Sequence, residues 1–188
     1  MELTDAPPPD VRGWALVREL PRRRQIEAAA LSAALVVACF VRFGFGGRAL
    51  IGAVFATVLV VLSAIDLDRR LIPNAIVLPA TVLVLIAQIA VFPDRTLEWV
   101  LASLGAALFF FVPLLVFPTG MGMGDVKLAA LLGAALGKTV VGALLAALLA
   151  GAAVSIFLLV REGMSARKKA IAYGPFLAFG GVLALLIG

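Results

Sequence analysis

Three aspartates sit where long apolar runs meet polar sequence: Asp66 and Asp68 in "AIDLDRRLIPN", and Asp125 in "GMGMGDVKL". Removing a carboxylate from water is costly, so one held at the edge of a membrane helix is a functional candidate. Two such groups brought together can share a proton and activate a water molecule, which is hydrolysis by acid–base chemistry without a metal. The remaining acidic side chains beyond position 25 are Glu27, Asp94, Glu98 and Glu162. The chain has no histidine, which excludes a Ser-His-Asp triad, a Cys-His pair and histidine metal sites. Its single cysteine, Cys39, excludes an internal disulfide and a CxxC metal site.

Asp68 and Asp125 also have structural readings; Asp66 is harder to explain that way. Asp66 falls at the last turn of an apolar helix, where a negative charge opposes the helix dipole. A purely structural design would prefer a basic residue there. Asp68 reads as a solvated partner of Arg69 or Arg70. Asp125 precedes "VKLAALLGAALG" and could cap that helix; on the residues alone, capping and catalysis stay open and do not exclude one another. Gly120, Gly122 and Gly124 permit positive φ and close backbone approach, which suits a loop beside an extended peptide and equally a tight inter-helix turn. Pro73 and Asn74 read as a helix start, with Asn74 as N-cap. Lys127 reads as a charge held at the membrane interface, with tuning of Asp125 as a secondary role.

The elements that position these residues follow from composition. The 188 residues are 63% hydrophobic, and the mean hydropathy is +1.14. Several apolar runs approach or exceed the roughly 18–20 residues that span a bilayer. They are continuous rather than alternating, and backbone inside lipid must be helical or form a closed barrel. The expected fold is therefore an all-α polytopic membrane helix bundle of about seven transmembrane helices. A polar, basic tail over residues 1–25 precedes a membrane domain over 26–188, and "VRGWALVREL" within the tail suits either a short surface helix or disordered chain. The spans fall near 26–44, 49–65, 75–92, 97–117, 126–137, 139–160 and 171–187. The fifth is short for a full crossing. A single helix over 126–160 is the alternative, but it would run about 50 Å.

Charge sets the orientation. With the N-terminus inside, twelve of the sixteen basic residues fall on the cytoplasmic side, as the positive-inside rule requires. The C-terminus is then outside. Asp66, Asp68 and Asp125 come to the cytoplasmic face together. The net charge of +5 follows this topology and is no sign of nucleic-acid binding. "VVAC" ending at Cys39 matches a lipoprotein cleavage pattern, but the 25-residue leading tail favours a cysteine in a first membrane helix.

The residues also carry a family resemblance. "GMGD" at Gly122–Asp125 is a GxGD motif; together with "DLDRRLIPN" and with "YGPFLAFGG" at Tyr173–Gly181 it resembles the type IV prepilin peptidases over about residues 49–188. That resemblance implies a membrane aspartyl protease of the inner membrane. Its substrate would be a prepilin or pseudopilin with a basic leader on the cytoplasmic side and an apolar helix in the lipid bilayer. Carried over by position, the catalytic aspartates are Asp66 and Asp125; Asp66 rather than Asp68 lies six residues before Ile72-Pro73, as in the family. Gly122, Gly124, Pro73, Asn74 and Lys127 would shape the loops or bind substrate, with no cofactor and no metal. The longer bifunctional members carry a cysteine-rich insert near the N-terminus and also methylate the new terminus. Here only "FGGR" joins the first two spans, so the expectation is peptidase without methylation, similar to the enzymes of tight-adherence pilus systems or to archaeal preflagellin peptidases. Two rivals come from other classes: a proton- or cation-coupled transporter, and a non-catalytic assembly scaffold in which Asp125 is only a cap.

Overall fold

A computed structural model describes residues 13–116, 122–162 and 172–188. The first twelve residues of the tail, the loop containing Gly120, and the basic positions Arg167, Lys168 and Lys169 lie outside the described residues. A short α1 (Gly13–Arg18) is followed by α2 (Arg22–Phe43), α3 (Gly47–Arg69), α4 (Asn74–Val91), α5 (Thr96–Val116), α6 (Met123–Leu136), α7 (Val140–Glu162) and α8 (Gly174–Ile187). The protein is a polytopic membrane helix bundle. α2, α3, α4, α5 and the run from α6 into α7 are long and apolar enough to cross a membrane, and α8 is a shorter apolar helix.

Two helices form the centre. α3 packs on α2, α4 and α8, and buries Phe55, Leu59, Leu62 and Ile65. α6 packs on α5, α4 and α8, and nearly every residue from Val126 to Leu136 is buried. At 14 residues it is about 21 Å long, short of the ~30 Å hydrocarbon layer. That length is tolerable because protein rather than lipid surrounds it. Two interhelical hydrogen bonds hold it from opposite sides: Gln88 Nε2 donates to the Ala135 carbonyl at 2.6 Å, and Ser103 Oγ to the Ala130 carbonyl at 2.9 Å. Such bonds satisfy polar groups that the bilayer cannot.

The break between the fifth and sixth spans is at Gly137, whose φ of +57° is unfavourable for any side chain. A 3-10 turn over Gly137–Thr139 then starts α7, so the single-helix alternative is replaced by two elements. α7 runs antiparallel to α8, with Thr139 beside Gly188 and Gly151 beside Tyr173. α1 docks on α4 and α3, and Leu16 and Leu20 enter the core.

Candidate active site

The end of α3 and the start of α6 meet at the same end of the bundle. Between them lies a cavity of about 440 Å³ lined by Asp66, Arg70, Asn74, Asp125 and Lys127, and by residues 71–73 and 122–124. Asp66 is in the last turn of α3, which extends to Arg69. The chain leaves that helix through Arg70 in the left-handed conformation, φ 53° and ψ 43°, and crosses to α4 over Leu71–Pro73. Asp125 is in the first turn of α6. The two carboxylates stand close enough to act on each other electrostatically.

Among the described residues their hydrogen-bonding is sparse. Asp66 is buried, and its Oδ2 accepts the backbone N–H of Gly174 at 2.9 Å. Among the described residues neither Asp66 nor Asp125 is in an ion pair within 4 Å. Two of the nearby described cations point elsewhere. Lys127 donates to Asn74 Oδ1, and Arg69 pairs with Glu19 at 2.8 Å. Arg70 remains in the cavity and acts on Asp66 at longer range. Two carboxylates with open acceptor positions in one polar pocket can hold a proton and orient a water between them.

All seven residues singled out from sequence line this cavity: Asp66, Pro73, Asn74, Gly122, Gly124, Asp125 and Lys127. Three details differ from expectation. Asp125 is not the N-cap of α6; Gly122 holds that position, and Asp125, three residues on, faces back toward the Gly122 amide. That is the reach-back position of a capping box, where a carboxylate supports the helix without being its cap residue. Asn74 does not cap α4 either. Pro73 is the cap residue, no side-chain cap bond forms, and the Asn74 amide serves Lys127 instead. Neither Gly122 nor Gly124 adopts positive φ. Gly124 is needed for close approach, since a Cβ there would lie 2.9 Å from Ile72 Cβ. Asp68 faces away from the cavity, toward Arg24 and Arg69 at 3.8 and 3.9 Å.

Sequence reasoning missed Arg70 and Gly174 as parts of this site. Gly174 touches Asp66 so closely that a Cβ would stand 2.7 Å from Oδ2. The Gly-Pro pair opening α8 was the available signal, because proline favours the first helical turn and leaves neighbouring amides free to donate.

The type IV leader peptidase family matches residues 53–156, which takes in both aspartates. The chain belongs to that family. A Pseudomonas putida protein named prepilin leader peptidase/N-methyltransferase is 37% identical over 153 residues, covering 78% of this chain and 53% of its own length. An Aeromonas hydrophila protein of the same name is 34% identical, covering 84% of this chain and 56% of its own length. A Bacillus subtilis one is 31% identical, with 84% and 64% covered. The chain thus spans about half to two thirds of the length of these relatives. No solved structure matches it.

Proposed function

We propose that this family member is an aspartyl endopeptidase that removes the basic leader of type IV prepilins or pseudopilins. The observation that carries the reading is one cavity holding two carboxylates, Asp66 and Asp125, neither of which is in an ion pair within 4 Å among the described residues. The dyad holds one proton between its members. Its ionised member takes a proton from a water, and that water attacks the scissile carbonyl. The protonated member hydrogen-bonds the oxyanion that develops. Collapse of the intermediate then expels the amine, which leaves with a proton returned by the dyad. Asp66, Asp125 and the glycines around them do this without a step that requires a metal.

The family and the apolar helices support a multi-pass inner-membrane location. The charge asymmetry supports a cytoplasmic N-terminus, an outside C-terminus and a dyad on the cytoplasmic side, where a basic leader joins an apolar helix. With one cysteine in the chain, the reading is of peptidase action alone, although the relatives' names include N-methyltransferase. The test is to co-express the chain with candidate prepilins and follow leader loss by mass. A leader removed only when the chain is present supports the reading. Intact prepilin in every pairing overturns it, and a methyl group added in an S-adenosylmethionine-dependent way overturns the single-activity part.

A further inference from the structure

We propose that Tyr173 is a positioning residue for Asp66, acting through its ring rather than its hydroxyl; this rests on the peptidase reading above. Tyr173 is the residue before the first turn of α8, and its carbonyl accepts the amides of Phe176 and Leu177 at 3.1 and 3.2 Å. Its side chain therefore moves with the start of that helix. The ring is wedged between Phe110 of α5 and Phe176 of α8, with centroids 6.2 and 5.9 Å away in tilted contacts. Such offset and tilted geometries are the favoured ones for aromatic pairs. Its third neighbour is α7. A Cβ on Gly151 would stand 2.9 Å from Tyr173 Cε2, so the ring fits because α7 has no side chain there.

The next residue completes the device. Gly174 turns its backbone to α3, where its N–H meets Asp66 Oδ2 and no Cβ would fit. Two adjacent residues thus face opposite ways: the Tyr173 ring registers α8 against α5 and α7, and the Gly174 amide holds the carboxylate. A shift of α8 by a fraction of a turn would break the only hydrogen bond that the Asp66 side chain makes among the described residues. Catalytic groups tolerate little such movement, and a misplacement of about 1 Å can cost roughly 100-fold in rate. The side chain is also within electrostatic reach of Asp125, so a chemical role for its hydroxyl is the alternative that the test must separate.

The experiment compares Tyr173→Phe, Tyr173→Leu, Gly151→Val and the Leu/Val double variant in the full chain, in detergent, with purified prepilin. Tyr173→Phe should keep kcat within about twofold, while Tyr173→Leu and Gly151→Val should each lower kcat by about 100-fold with little change in KM. The double variant should be no worse than either single, because both displace the same ring. A second readout needs no peptidase activity: exchange of the Gly174 amide, followed by NMR of the chain labelled with 15N-glycine. That amide should be protected in the parent and in Tyr173→Phe, and lose protection in Tyr173→Leu and in Asp66→Ala. Protected exchange in Tyr173→Leu overturns the inference, whatever the fate of the peptidase reading. So does a Tyr173→Phe variant as slow as Tyr173→Leu, which would assign the work to the hydroxyl. If exchange follows the expected pattern but no prepilin is cleaved, the positioning stands and the peptidase reading falls.

Discussion

Glu98 and the Asp66–Asp125 pair are carboxylates at opposite ends of the same bundle, and their surroundings differ in kind. Glu98 accepts Arg95 Nε at 2.9 Å, Arg95 Nη2 at 2.7 Å and the Lys138 amide at 3.0 Å. Arg95 in turn lies over the Trp99 ring at 4.7 Å. Three donors thus reach the two Glu98 oxygens, and the side chain ties the start of α5 to the turn after α6. At the other end Lys127 is turned to Asn74 and Arg69 to Glu19, and among the described residues the Asp66 carboxylate has a single hydrogen-bond donor, the Gly174 amide, with Arg70 acting at longer range. A carboxylate whose lone pairs are filled by fixed cations is a fastener. One with no cation fixed directly on its oxygens keeps its capacity to take up and release a proton.

The largest expected effect tests the open end directly. Asp66→Asn and Asp125→Asn should each lower leader cleavage by several orders of magnitude while the protein stays in the membrane, and the double variant should be little worse than either. An amide keeps the shape but cannot relay the proton. Near-normal cleavage by Asp125→Asn would reduce that residue to the capping-box role, since Asn supports a helix start about as well. Asp68→Asn should retain most activity, because its partners Arg24 and Arg69 lie outside the cavity.

An intermediate effect sharpens the contrast. Gly174→Ala leaves both aspartates in place but puts a methyl group 2.7 Å from Asp66 Oδ2. Cleavage should fall by about 100-fold in kcat, with prepilin still bound. Unchanged kcat in a folded Gly174→Ala protein would mean that the amide contact is incidental.

The smallest effect belongs to the closed end. Glu98→Gln should leave cleavage unchanged and lower stability by about 1 kcal/mol or less, as for a partly exposed ion pair. In the detergent-solubilised protein that is a fall in Tm of about 2–4 °C at most for a chain of this size. A loss of activity matching that of Gly174→Ala would erase the distinction between the two ends.

Apolar run length, the glycine at 137 and the positions of Asp66 and Asp125 at span ends were all legible from the amino-acid sequence, because a bilayer forces backbone into helices and expels unpaired charge from them. Helix-start and loop readings, together with the family resemblance, singled out seven residues that now line one cavity. Their hydrogen-bond partners were not legible. Asn74 reads as a cap for its own helix and instead serves Lys127, 53 residues away. Asp66 finds its donor at Gly174, 108 residues away, and Tyr173 finds its seat at a glycine of α7. Local rules rank what a side chain can do within its own turn. Which of those options it takes is settled by the groups that packing brings within about 3 Å, and in a bundle of crossing helices those groups come from distant parts of the chain.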